Sequence, residues 1–242
     1  MNLLILDAGH SFSTAGKRNE KENFYEWEFN NDVQYKIKAR CEEHNIEVFL
    51  TNPNPQNISD IPLTTRANLG NEYWIKKSKP KAIFISIHAN AYSNESARGT
   101  ETYVANNSST ASKNFAKVLN DNIVTAMKNL DSNAKDRGVK SENFTVIYKA
   151  SMPSVLVEYG FYSNLDDLKI LKNNKDELVE ATVKAICSYF NIEYKEKVKV
   201  NENKSNGLYA VCVGAYKDRN KADAIVEELK KQGYTDTYLI QR

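Results

Sequence analysis

Only three histidines occur among the 242 residues, and two of them follow short apolar runs. His10 comes after Leu3-Leu4-Ile5-Leu6, in Asp7-Ala8-Gly9-His10. His88 comes after the run Ala82–Ile87, in Ser86-Ile87-His88-Ala89-Asn90-Ala91. The working edge of an open α/β sheet lies at the carboxyl ends of its strands, so both imidazoles are expected to emerge there. Two histidines and one carboxylate form a catalytic zinc set with a fourth position open for water. The carboxylate candidates are Glu20, Glu22, Glu26 and Glu28. Glu158 ends a further buried run, Val155-Leu156-Val157-Glu158, where an ionised group is costly unless it is paired or put to work. Each of these residues has an ordinary explanation when taken singly. A strand-end histidine can be a hydrogen-bonded structural residue, and Glu158 can pair with Arg66 or Arg137. Together in one α/β chain they favour a metal.

The elements that must position these residues are legible as alternating patterns. Leu3–Leu6, Glu47–Leu50, Ala82–Ile87, Thr100–Val104, Phe144–Tyr148 and Val155–Val157 are expected strands, several with the continuous apolar character of strands buried on both faces. Helices are expected over Tyr25–His44, over Thr64–Lys77 with a threonine N-cap, over Ser109–Leu130 and over Asp176–Phe190. Asn52–Pro62, with three prolines, is a loop. Such alternation implies an α/β fold, a twisted central mixed or parallel sheet flanked by helices, over residues 1–193.

Residues 1 to about 192 resemble the zinc N-acetylmuramoyl-L-alanine amidases of the amidase-3 type. The resemblance is carried by Leu6-Asp7-Ala8-Gly9-His10, Glu26 with Asn30, Arg66, Ser86-Ile87-His88-Ala89-Asn90-Ala91 and Gly99-Thr100-Glu101-Thr102. It continues through Arg137-Gly138-Val139 and Met152-Pro153-Ser154-Val155-Leu156-Val157-Glu158-Tyr159-Gly160-Phe161-Tyr162-Ser163-Asn164. In that family the glutamate ligand opens the first helix with an asparagine one turn later, and only Glu26 has such a partner, Asn30. The resemblance therefore implies zinc on His10, Glu26 and His88, with Glu158 as the catalytic carboxylate. It implies cleavage of the amide between N-acetylmuramic acid and L-alanine in peptidoglycan. Asn90 is a candidate substrate donor or ligand support, or a turn residue. Glu101 is expected either to orient a ligand histidine or to be a plain strand-pair residue. One departure is the segment Ser11-Phe12-Ser13-Thr14-Ala15-Gly16, where the family has a glycine-rich run. Phe24, Tyr25, Trp27 and Phe29 can line a groove, with helix packing expected for at least half of them. His44 is expected to be solvated. No cysteine among Cys41, Cys187 and Cys212 stands in a catalytic context, and no disulfide or CxxC site is indicated.

After Ile192 the composition changes. Residues 194–206 are polar, charged and aperiodic, as in a linker. Residues 207–242 are expected to form a small α+β half-domain. It has a strand at Leu208–Val213, a helix capped at Asp218-Arg219-Asn220 and ended by Gly233, and a strand at Tyr234–Ile240. This segment resembles one SPOR-type repeat, which implies binding to glycan strands. A complete SPOR fold contains two such units, so the tail is expected to pair with a second chain as a homodimer, or to fold only in part; light scattering on the full chain decides.

The charge balance, 33 basic against 31 acidic residues, lacks the clustered excess of a nucleic-acid binder. No run approaches the ~18 apolar residues of a membrane span. The first residues lack the basic n-region and uninterrupted apolar core of a signal peptide. The expected setting is therefore synthesis in a bacterial cytoplasm and access to the wall after lysis or through a holin pore, as for a phage or prophage endolysin. A mother-cell sporulation autolysin is the alternative setting. A zinc peptidase of the stem peptide and a non-catalytic wall-binding protein are the alternative activities.

Overall fold

Leu3, Leu4, Ile5 and Leu6 are all fully buried, which a strand allows only when both faces of its sheet are covered. They belong to β1 (Asn2–Ala8), the first element of a computed structural model that describes residues 1–56, 59–197 and 218–234. There follow a short pair, β2 (Arg18–Asn19) and β3 (Phe24–Tyr25), then α1 (Glu26–Glu43), β4 (Glu47–Leu50) and α2 (Leu63–Lys76). Next come β5 (Lys81–Asn90), β6 (Thr100–Val104), α3 (Thr110–Leu130), β7 (Asp136–Ser141) and α4 (Thr145–Tyr148). The first unit closes with β8 (Ser154–Phe161), α5 (Leu165–Asn173) and α6 (Lys175–Phe190).

The six-stranded sheet has the order β4-β1-β5-β8-β6-β7. All neighbours run parallel except β6 and β8, which are antiparallel, so the sheet is mixed. Alternation along β1 sends Leu4 and Leu6 to the face covered by α1, α3 and α6, and Leu3 and Ile5 to the face covered by α2 and α4. The expected α/β architecture is found.

Four local expectations are corrected. Phe144–Tyr148, expected as a strand, holds the single-turn helix α4. A short apolar run cannot reveal its period, and both edges of β8 are already paired, with β5 and β6. Val146 and Ile147 instead bury themselves beneath the sheet, and the Ser154 hydroxyl donates to the Ile147 carbonyl. The strand β7 is not foreshadowed, because Asp-Arg-Gly-Val-Lys-Ser is a charged edge strand with no apolar period, held by its ladder with β6 and by side-chain bonds to Glu101 and Asn120. Helix α5 is also additional to the expected elements, although Asn164 caps it by accepting from the Asp167 amide. Helix α2 begins at Leu63 after Pro62, with no side-chain cap, so Thr64 does not cap it.

The chain divides into two compact units, Met1–Glu196 and Lys197–Arg242. Tyr194 belongs to the first: its hydroxyl donates to Glu180 at 2.5 Å and its ring stacks on His44. His44, expected to be solvated, is 3% exposed. It bonds the Arg40 carbonyl through Nδ1 and accepts the Lys195 amide at Nε2. In the second unit the described element is α7 (Arg219–Lys231), capped by Asp218, whose side chain accepts from the Asn220 amide. Gly233, at φ +99°, ends it. Its amide bonds Lys230 and that of Tyr234 bonds Leu229, the paired closure that favours glycine in the left-handed region. The expected strands at Leu208–Val213 and, beyond Tyr234, up to Ile240 lie outside the described residues, as does Cys212. Among the described residues no helix is long and apolar enough to cross a membrane.

Candidate active site

A row of side chains crosses the sheet, just past β1, near the carboxyl end of β5 and in the second half of β8, which runs on past Glu158 to Phe161. The Gly9 amide extends the ladder past β1 by donating to the Ile87 carbonyl at 3.0 Å. His88 on β5 is paired with Glu158 on β8, and Glu158 with Glu101 on β6. Residues directly opposite in a ladder share a face, so His88, Glu158 and Glu101 project to the same side. His10 follows β1 at φ +64°, a left-handed conformation that costs a non-glycine residue about 1–2 kcal/mol. Buried side chains hold it there: Asn52 Nδ2 donates to the carbonyls of Ala8 and His10, and the Arg66 guanidinium reaches the same two carbonyls.

Glu26 is the first residue of α1, where the helix dipole favours a carboxylate. Its Oε1 lies 3.3 Å from His10 Nε2 and 3.0 Å from His88 Nδ1, and accepts the Ala89 amide at 3.3 Å. The two imidazole rings stand nearly perpendicular, 5.0 Å between centroids. Asn30, one turn further on, donates to the Gly9 carbonyl at 3.0 Å and to Glu26 at 3.5 Å. Burial opposes ionisation of Glu26, but hydrogen bonds and charge from His10 and His88 outweigh it and hold the carboxyl at about 2. One donor atom from each of His10, Glu26 and His88 falls within 4.8 Å of the others, a set able to hold a metal ion. Two further features fit that role. Asn30 Oδ1 is buried without a partner, and His88 packs so closely over Gly9 that a Cβ there would lie 2.1 Å from the ring. Only glycine leaves the imidazole in place.

Glu158 stands beside this cluster without an ion pair among the described residues, and the charge of Lys17 is the one influence that favours its ionisation. Its Oε2 is buried and has no hydrogen-bond partner. Burial first, then the charges of Glu26 and Glu101, raise its carboxyl well above the usual range. Arg66 and Arg137, the partners that the sequence allows for it, are engaged elsewhere. Arg66 pairs with Asp7 and Asp60, and Arg137 with Glu101.

Asn90 donates to Glu101 at 2.7 Å, and its Oδ1 accepts from the Ala91 amide. Glu101 contacts neither histidine by hydrogen bond; it gathers Asn90, Tyr103, Arg137 and Lys140. That network could not be anticipated, because β7, which carries two of its cations, has no apolar period. The glycine-poor segment after His10 is ordered by its own hydroxyls. Thr14 Oγ1 accepts the Ser11 amide and donates to Asp60 at 2.6 Å. Of the four aromatics around Glu26, Phe24 and Phe29 are core residues, whereas Trp27 is half-buried, edge-on to the exposed Phe12. Cys41 and Cys187 are buried thiols whose burial raises them above the usual range, which suits packing rather than nucleophilic work.

A SPOR-domain model matches residues 189–241. The amidase CwlM of Bacillus licheniformis is 23% identical over 99% of this chain and 85% of its own length. The sporulation-specific N-acetylmuramoyl-L-alanine amidase of Bacillus subtilis is 24% identical over 75% of this chain and 63% of that protein. The solved catalytic domain of CwlV, an N-acetylmuramoyl-L-alanine amidase from Bacillus (Paenibacillus) polymyxa, superposes with a TM-score of 0.68 at 28% identity, over 80% of this chain and all of that one. The Amidase_3 model, described as N-acetylmuramoyl-L-alanine amidase, matches residues 4–188, most of the first unit, and the chain belongs to that family.

Proposed function

We propose that the chain cleaves the amide bond between N-acetylmuramic acid and L-alanine, the bond its family hydrolyses, at the His10–Glu26–His88 cluster, with zinc as the metal and Glu158 as the proton carrier. The observation that carries this reading is Glu158: a carboxyl whose buried Oε2 has no hydrogen-bond partner, in one row with His88, beside three converging metal donors. His10, Glu26 and His88 would hold the zinc, which would supply a Lewis acid able to lower the pKa of a water toward ~7 and to polarise a carbonyl. The low proton affinity of Glu26 keeps it an anionic donor, and Asn30 fixes its orientation. Glu158 takes the proton of the attacking water and delivers it to the departing alanine nitrogen. An amine leaves poorly unless protonated, so both transfers are needed. Asn90, tied to Glu101 and next to the row, is placed to steady substrate or the ladder end.

Digestion of purified cell walls tests the reading. New L-alanine amino termini without new reducing sugars are expected, abolished by a chelator and restored by zinc. Other amino termini would identify a stem-peptide peptidase instead, and zinc-loaded protein that releases nothing would identify a wall binder. The C-terminal repeat, within the SPOR match, binds glycan strands in this reading and pairs with that of a second chain. The setting we favour is an endolysin, on the layout of a catalytic unit followed by a short wall-binding repeat. The likeness to the sporulation-specific amidase favours a sporulation autolysin as the second setting.

A further inference from the structure

The network around Glu101 holds more positive charge than it needs. Glu101 is 2% exposed. It accepts from Asn90 and Tyr103 at 2.7 Å each, from Arg137 Nε at 2.6 Å and from Lys140. One carboxylate therefore faces two cations, whose side chains remain 35% and 37% exposed. Arg137 engages Glu101 through Nε while its guanidinium lies over the Phe161 ring, 4.8 Å from the centroid. Among the described residues neither Nη group of Arg137 has a hydrogen-bond partner. Both cations line an open groove of about 520 Å³ together with Arg98 and Lys135, and among the described residues Asp136 is the only carboxylate on its walls. Arg98 is engaged by Asp131, Asp166 and Asp167, whereas Lys135 has no ion-pair partner among the described residues.

This surplus charge sits one side chain away from the reacting edge. Glu101 lies directly opposite Glu158, so their Cβ atoms are roughly 4.5–5.5 Å apart on one face. On the other side Glu101 is paired with Gly138, which offers no side chain, and the ladder shifts register between Thr100 and Glu101. Arg137 uses that space to reach Glu101, its guanidinium fixed by a carboxylate on one edge and an aromatic face below. A fixed fork with free Nη donors suits a planar carboxylate.

We propose that Arg137, with Lys140 beside it, binds a carboxylate of the stem peptide, that of the residue following L-alanine, and that Glu101 is the positioning residue. The inference rests on the amidase reading above. An extended peptide advances about 3.3–3.6 Å per residue. Arg137 lies one ladder pair and one ion pair from Glu158, through Glu101, which matches the spacing of about one residue between the alanine nitrogen held at Glu158 and an acidic group on the residue that follows.

The test uses the full zinc-loaded chain and two disaccharide-peptides that differ only in whether this carboxylate is free or amidated. The wild type is expected to favour the free carboxylate by roughly 10–100-fold in kcat/KM, chiefly through KM, as for a charge-assisted hydrogen bond lost to a neutral group. In Arg137→Gln the ratio is expected to fall toward one. Because that change leaves buried Glu101 with one cation fewer, the double variant Glu101→Gln/Arg137→Gln, which removes both charges, is measured beside it and must show the same collapse. Each ratio compares two substrates on one protein, so a general loss of folded enzyme does not move it. A wild-type ratio near one, or a ratio retained in both variants, overturns the proposal while leaving the amidase reading intact. Failure of the wild type to cleave either substrate overturns both.

Discussion

Glu158→Gln is expected to lose amide hydrolysis by a factor of about 10²–10⁴, the range contributed by positioned proton transfer, while zinc content and fold persist. The amide side chain keeps the shape of the carboxyl but cannot carry the proton from water to the alanine nitrogen. The effect on stability runs the other way. Glu158 Oε2 is buried without a hydrogen bond, and the charges of Glu26 and Glu101 oppose ionisation of the carboxyl. A group in that position contributes nothing to holding the sheet together. The thermal midpoint of Glu158→Gln is therefore expected to equal or exceed that of the wild type, as when a strained functional group is removed. Rates on purified walls, zinc content by atomic absorption and a thermal melt check the three parts. A fully active, zinc-bound Glu158→Gln protein would refute the role of this residue.

Arg66→Ala should produce the opposite pairing, a large loss of stability that carries the site with it. Arg66 is fully buried and donates to Asp7, to the carbonyls of Ala8, His10 and Ile61, and to Asp60. Without it Asp7 retains the Thr51 and Ser86 hydroxyls but loses its counter-charge at the centre of the sheet. Breaking a buried pair on one side costs about 3–5 kcal/mol, which lowers the melting midpoint by roughly 6–20 °C in a unit of this size. The same change leaves the Ala8 and His10 carbonyls to Asn52 alone, so the left-handed backbone that aims this imidazole loosens and zinc affinity falls in the protein that remains folded. A double variant, Asp7→Asn with Arg66→Met, removes both charges and is expected to recover a substantial part of the stability but not the zinc affinity. Denaturant melts and zinc titration separate the two effects. Equal stability of Arg66→Ala and wild type would show that the pair does not support the fold.

What is legible in the sequence follows from how strands advertise themselves. Central strands buried on both faces read as continuous apolar runs, and a polar residue that ends such a run is conspicuous. His10, His88 and Glu158 all stand at such ends, so the order of residues alone displays their chemistry. Glu26 is different. Four glutamates lie near the start of the first helix, and the resemblance to a family, through Asn30, selects among them; the structure places Glu26 against both imidazoles. The helical period similarly exposes α3 and α6, each of which buries an apolar face, whereas α1 buries Glu26, Asn30, Gln34 and Arg40 among its apolar residues.

The elements the sequence hides have no such signature. β7 carries charged side chains at the sheet edge and gains its place from hydrogen bonds to β6. α4 reads like a strand until both sides of β8 are seen to be occupied. His44 looks like a polar residue at a helix end, but Tyr194 and the Lys195 amide, about 150 residues away in the chain, close over it.

The sequence by itself determined the fold class, and displayed two strand-end histidines and a strand carboxylate as candidates for chemistry, because burial and strand polarity are written locally. Only the tertiary structure decided which charges neutralise one another. Arg66 belongs to Asp7, Arg137 belongs to Glu101, and Glu158 is left with neither. Pairing depends on ladder register and on which side chains share a face, and those are properties of strands far apart in the chain.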